Sequence, residues 1–234
     1  MPRFVDLTHD FAEGMPGLTM TGPDGQKVTL GARIRPFVTH EQSRERYGGK
    51  AEFTMTEVSF QTSLGTYVDS PYVRWRERRD IGALRLDELV LPGLLLDLAG
   101  RAPGAAVEPD ELAAAAGGKL DVTGKAVLCR FGWDRHWGKP EYGDCPYLSR
   151  ASLRLLIDGG ARLFGVDCGN ADSFRDPERP AHSWLLERDI LIVENLRGLD
   201  GLAGAPCFRF FALPIKAKGA GSMPVRAFAE IPDV

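Results

Sequence analysis

The stretch Ser63-Leu64-Gly65-Thr66-Tyr67-Val68-Asp69-Ser70-Pro71-Tyr72-Val73 carries a glycine, a carboxylate and a proline in close order. It follows residues 53–60 (FTMTEVSF), whose aromatic, β-branched and alternating polar positions read as a strand, and Gly65 marks a turn or a close backbone approach. Side chains of an extended chain alternate between faces, so Tyr67 and Asp69 share one. Asp69 can thus point inward. An aspartate in such a segment also commonly caps local backbone groups, and the segment alone leaves both readings open.

On the N-terminal side, residues 4–7 read as a short strand, and the region from there to about residue 50, rich in Gly, Pro, Thr and charge, reads as loop and hairpin. The short apolar runs 94–98, 126–131, 162–166 and 190–193 have the length of buried central strands, and 208–213 and 225–231 read as two more. Pro109 opens an alanine-rich helix that Gly117 and Gly118 end. Ser149 caps a helix carrying Leu153, Leu156 and Ile157, stopped by Gly159 and Gly160. No internal repeat or long linker interrupts residues 1–234, so one α/β domain is expected. The early strands are not separated by helices, which argues against a simple doubly wound sheet.

The 44% hydrophobic and 26% charged residues are those of an ordinary globular protein. A net charge of −3 gives no basic field for a phosphate backbone, so nucleic acid is not an expected partner. Arg74, Arg76, Arg78 and Arg79 alternate with Glu77 and Asp80 and read as a solvated face. No run is long and apolar enough for a bilayer, and the opening MPRFVDLTHD lacks the features of a secretory signal. No membrane partner and a cytoplasmic location are expected. Cys129, Cys145, Cys168 and Cys207 form no CxxC pair, which argues for reduced thiols rather than a structural zinc knot.

The stretch from Ser63 to Val73 resembles the signature HTGTHxDxPxH of the cyclase family, which includes bacterial kynurenine formamidases and isatin hydrolases. Gly65, Thr66, Asp69 and Pro71 fall on its fixed positions. Further matches follow in order: Asp6-Leu7-Thr8-His9, Gly132-Trp133 with Trp137, Gly165-Val166-Asp167 with Asp172, His182 before Leu185-Leu186, Glu194-Asn195-Leu196, Ala212-Leu213-Pro214 and Pro224-Val225-Arg226-Ala227. The resemblance implies a domain of the swivelling β/β/α type with a mixed sheet flanked by helices. It also implies a divalent metal site and a homo-oligomer whose neighbouring subunit helps close the pocket. The long, poorly periodic N-terminal region, which needs something to pack against, points to an oligomer as well.

In active family hydrolases the first two histidines and the aspartate of the signature bind metal, a later His and a Glu or Gln can complete a second site, and the last histidine acts as base. Here Ser63 stands at the first histidine, Tyr67 at the second and Val73 at the last. Only Asp69, His182 and Glu194 survive. A serine hydroxyl or a protonated phenol is a poor substitute for imidazole on zinc or manganese, and valine accepts no proton. The resemblance therefore implies at most one divalent metal, zinc or manganese, on Asp69, His182 and Glu194, or none.

Taken singly, His182 after Pro180 also suits a helix start. Glu194 ends an apolar run, where a carboxylate needs either water or a partner. His9, His40 and His136 show no ligand spacing and are assigned structural or surface roles. Trp133, Trp137, Tyr142 and Tyr147, interleaved with Gly and Pro, either wall an apolar pocket or cover the core edge.

The leading expectation is a small-molecule enzyme hydrolysing an amide, lactam, lactone or related carbonyl. In it Tyr67, Asp69 and His182 are catalytic, and Ser63 and Trp133 touch substrate. Efficient kynurenine formamidase activity is not expected. A metal-free cyclase, isomerase or lyase using His182 and the carboxylates, and a non-catalytic binding protein on the same scaffold, stand as alternatives.

Overall fold

The computed structural model describes residues 1–233. In chain order these form β1 (Arg3–Asp6), β2 (Thr19–Thr21), β3 (Lys27–Thr29), β4 (Ala32–Val38), α1 (His40–Arg46), β5 (Met55–Phe60), β6 (Tyr67–Asp69), α2 (Leu86–Leu89) and β7 (Val90–Asp97). Then come β8 (Ala106–Val107), α3 (Pro109–Ala115), β9 (Ala126–Arg130), β10 (Tyr147–Leu148), α4 (Arg150–Asp158), β11 (Leu163–Val166), β12 (Leu191–Glu194), β13 (Arg209–Pro214) and β14 (Ser222–Ile231).

The main sheet runs β1-β14-β13-β7-β9-β11-β12-β6, and β6 also pairs with β14, so the sheet closes on itself as a barrel with β1 appended. The strands β7, β9, β11 and β12 are parallel neighbours, and the remaining pairings are antiparallel. The expected mixed sheet is thus present, and it is closed rather than open. Parallel neighbours need crossovers. α3 and α4 provide two of them, and a π-helical turn at Ala181–Leu185 lies on the third.

Continuous apolar runs arise because the parallel strands are buried on both faces. On β9, Val127 and Cys129 pack outward with Leu112 of α3 and Leu153 and Leu156 of α4. Ala126 and Leu128 face the interior with Phe210, Ala227 and Ala229. Each such fully buried Leu or Phe contributes about 1.5–3 kcal/mol relative to exposure. The Ser149 hydroxyl caps α4 at the Ser152 amide, as its sequence position predicts.

Two departures concern polar segments. α1 lies in the region read as loop; its capping box of Thr39 and Gln42 starts a helix whose sequence, HEQSRER, has no apolar stripe to advertise it. The arginine run after β6 is also more than a solvated face. Arg74, Arg78 and Arg79 all bind groups in residues 178–189, while Arg76 is exposed. β4 and β5 pair only with each other, and Phe37, Met55 and Val58 on them are exposed. None of the described helices is long and apolar enough to cross a membrane.

Candidate functional site

β6 is three residues long and wholly buried. Val68 enters the barrel interior, so Tyr67 and Asp69 point to the opposite face. In the pairing with β12, Tyr67 lies opposite Glu194 and Asp69 opposite Ile192. Glu194 therefore shares the outer face with both. Gly65, with φ +67°, makes the sharp entry into β6, and a Cβ there would come within 2.9 Å of Met15.

His182 sits in the π-helical turn above this face. Its Nδ1 is 2.6 Å from Asp172 Oδ2, and the same carboxylate accepts the backbone N–H groups of Ala181 at 2.6 Å and His182 at 3.2 Å. Arg179, in the left-handed region, brings its guanidinium to 3.4 Å from Asp172. The Nδ1 position is thereby committed. Nε2 faces Asp69 Oδ2 at 3.5 Å and Glu194 Oε1 at 3.4 Å. Glu194 Oε1 accepts the Ala171 amide at 2.6 Å, and Oε2 accepts the Tyr67 hydroxyl.

Those spacings bear on metal binding. A charge-assisted N–H···O contact is about 2.7–2.9 Å, well inside the 3.4 and 3.5 Å observed. Tetrahedral ligands about 2.1 Å from a common ion lie about 3.4 Å from one another. Donor atoms of Asp69, His182 and Glu194 all fall within 4.8 Å of one another, and all three residues are buried. The imidazole nitrogen aimed inward and its partner nitrogen held by a carboxylate form the usual support of a metal-binding histidine. This donor set fits a divalent ion.

The electrostatics agree. Burial opposes the His182 imidazolium, but Glu194, Asp172 and Asp69 outweigh it and raise its pKa to about 10. Burial, and the Asp69 carboxylate, push Glu194 up to about 7. Burial and the Glu194 carboxylate hold the Tyr67 phenol well above its ordinary range, so it remains a donor. An excess of negative charge thus surrounds one inward imidazole.

Beside the centre lies a cleft of about 760 Å³ whose lining includes Ser63, Tyr67, Trp137, Tyr142, Phe174 and Asn195. Ser63 lines it, its hydroxyl 2.8 Å from that of Ser222. Trp133 does not line it. Asp167 accepts the amides of Phe131, Gly132 and Trp133, and the indole is turned into the core at 2% exposure. Trp137 and Tyr142 take the wall instead. Tyr142 donates to Asn195 Oδ1 at 2.7 Å, and Asn195, itself in the left-handed region, donates to Gly65 O at 2.6 Å. Val73 is 42% exposed and would press on any Cβ added at Gly221. His9 is buried and stacked on Trp137 at 4.1 Å, a structural place.

Residues 5–173 match the family model described as putative cyclase. The chain belongs to the cyclase family. Among cyclase-family relatives, kynurenine formamidase of Salinibacter ruber is 29% identical over 185 residues, covering 76% of this chain and 80% of the relative. Cyclase-like protein 3 of Oryza sativa subsp. japonica is 27% identical over 235 residues, covering 96% and 78%. Isatin hydrolase A from Ralstonia solanacearum superposes with a TM-score of 0.85 at 21% identity, over 99% of this chain and 92% of that one. By name these relatives include a kynurenine formamidase and an isatin hydrolase.

Asp69, His182, Glu194 and Tyr67, all singled out from the sequence, meet in one place. Asp172 and Ala171 were missed as parts of the site. Asp172 stood in the sequence only as a family match, and nothing in its local pattern ties it to an imidazole ten residues on.

Proposed function

We propose that the chain is a cytoplasmic hydrolase acting at the carbonyl of an amide, lactam or lactone in an aromatic-sized substrate, with one divalent ion, zinc or manganese, held by Asp69, His182 and Glu194. The observation that carries this reading is the 3.4–3.5 Å spacing of His182 Nε2 from the two carboxylates while Asp172 holds Nδ1. When bound, the ion supplies Lewis acidity, acidifying water and polarising a carbonyl.

The chain's own residues do the rest. Asp172 fixes the His182 tautomer with Nε2 free for ligation. The Tyr67 hydroxyl and the Ala171 amide orient the two Glu194 oxygens. In this reading Tyr67 acts through Glu194. Trp137, Tyr142 and Phe174 sandwich an apolar ring, and Ser63 offers a hydroxyl to a polar substituent of the substrate. With Ser63 and Tyr67 at the histidine positions, a second ion has too few donors.

The same reading includes a homo-oligomer. A two-stranded ribbon such as β4–β5 is marginal alone in water, and its exposed Phe37, Met55 and Val58 offer a surface for a second copy. Four free thiols, three of them buried, suit a reducing compartment.

Metal analysis of protein purified without chelator tests the centre, with about one ion per chain expected. Folded protein that takes up neither zinc nor manganese would transfer the reading to metal-free proton transfer by His182.

A further inference from the structure

We propose that Arg74 and Trp75 are positioning residues for His182, holding the π-helical turn so that its imidazole stands at ligand distance from Asp69 and Glu194. This rests on the metal-centre reading above. The two residues lie on a loop that leaves directly from Asp69. Ser70 anchors it, donating both its amide, at 2.9 Å, and its hydroxyl, at 2.7 Å, to Gly221 O. The Trp75 amide reaches Pro71 O at 2.9 Å and the Tyr72 amide reaches Arg79 O at 3.0 Å, which closes the loop on itself.

From this fixed base two side chains converge on Ser183, the residue after the imidazole. Arg74 Nε donates to Ser183 Oγ at 3.0 Å, and its Nη2 to Glu178 O at 3.2 Å. Trp75 Nε1 donates to Ser183 O at 3.2 Å. The Ser183 hydroxyl itself donates a hydrogen bond to Glu178 O at 2.9 Å, so Arg74 grips both ends of one bond. Farther along, Arg78 donates to Glu187 O at 2.8 Å and Arg79 to Asp189 Oδ1 at 2.9 Å.

A π-helical turn is a poor structure by itself and persists where its surroundings impose it. Ala181 and Leu185 of the turn are buried in the core whatever happens at Ser183. Removing the Arg74 and Trp75 contacts therefore leaves the apolar packing in place. What it loosens is the turn's tilt, and with it the direction of Nε2. Asp172 holds the ring from inside and the loop holds the backbone from outside. Because the loop begins at Asp69, it also registers one ligand against another that lies far away in sequence.

The test uses Arg74→Ala and Trp75→Phe, with Arg76→Ala as control because Arg76 belongs to the same run but is exposed without a described partner. Zinc affinity is measured by chelator competition, and the His182 Nδ1–H signal is followed by NMR in metal-free protein. Arg74→Ala should weaken zinc binding about tenfold, in the range of other supports of a ligand, and Trp75→Phe should weaken it less. Both should broaden or shift the His182 signal, while Tm falls by no more than about 4 °C. Arg74→Lys, with one donor group in place of a fork, should fall between parent and alanine variant. Unchanged zinc affinity together with an unchanged His182 signal in Arg74→Ala and Trp75→Phe overturns the positioning role. A parent protein that takes up no zinc refutes the metal reading alone, and the His182 signal then decides the role of the loop.

Discussion

Asp172 makes three hydrogen bonds at the turn, two of them to His182: one carboxylate takes the ring Nδ1 at 2.6 Å and the backbone amides of His182 and Ala181. A single side chain thus fixes the tautomer, the ring and the start of the turn. Asp172→Asn cannot accept through both oxygens, and zinc or manganese affinity should fall about 10–100-fold, as for other supports of ligating histidines. Leaving buried donors without a partner should also cost about 1–3 kcal/mol of stability. Chelator competition and urea unfolding measure the two effects separately.

Uptake of the ion should be linked to protons. His182, at about 10, carries a proton at neutral pH, and Glu194, at about 7, carries one part of the time. Both must lose it to ligate, so protons compete with metal and affinity falls as pH falls. One proton released per ion corresponds to about tenfold tighter binding for each pH unit between 7 and 9, with a steeper dependence below 7. Manganese titrations in buffers of different ionisation enthalpy count the protons directly. Affinity independent of pH would mean that His182 is not a ligand.

His9 should set part of the acid limit of the fold. Burial, aided by the Arg197 cation, lowers its pKa from 6.5 to about 4. The unfolded chain takes a proton at 6.5 while the folded one resists it until about 4, so stability falls as pH drops through that window. With partial solvent screening the gap is worth on the order of 1–2 kcal/mol by its lower end. His9→Phe keeps a ring against Trp137 and cannot titrate. Its stability relative to the parent, from denaturant unfolding at several pH values, should improve steadily from pH 7 to 4. Parallel curves for the two proteins would contradict this.

The altered signature predicts poor turnover of N-formylkynurenine. Ser63 is tied to Ser222, Tyr67 to Glu194, and Val73 provides no base. With zinc or manganese supplied, kcat should stay below the roughly 1 per second of an ordinary enzyme. Histidine at all three positions should raise metal content above the parent's and recover measurable activity. A parent rate typical of enzymes would show the missing histidines to be dispensable.

The exposed ribbon gives a fifth solution test. Phe37→Glu with Val58→Lys alters only residues of β4 and β5, so barrel packing should hold. Light scattering at micromolar concentration should find an oligomer for the parent and a smaller species for the variant. A monomeric parent would remove the oligomer from the reading.

What could be read from sequence follows from what each segment is buried against. The strands β9, β11 and β12 are covered on both faces, so their apolar runs were visible at once. β6 has three residues, and its closing role depends on partners in β12 and β14 far along the chain. The alternation of Tyr67 and Asp69 was legible, but the closure of the sheet was not. Trp133 and Trp137 lie four apart in a loop with no period to tell wall from core; the structure puts Trp137 on the cleft and Trp133, named as a substrate contact, in the core. It took the amides gathered by Asp167 to separate them. Arginine partners were likewise hidden, because residues 178–189 carry no pattern that announces a docking loop.

The double pairing of β6 has one more consequence. The barrel closes at the strand that bears Asp69, next to the strand that bears Glu194, so an ion held between them would be a rivet across the last joint of the sheet. Occupancy should then be felt far from the ion. At a hundredfold excess of free metal over Kd the folded state gains about 2.7 kcal/mol. Amides of β6, β12 and β14 should slow their hydrogen exchange together, as one closing unit, while those of the β4–β5 ribbon keep their own pace.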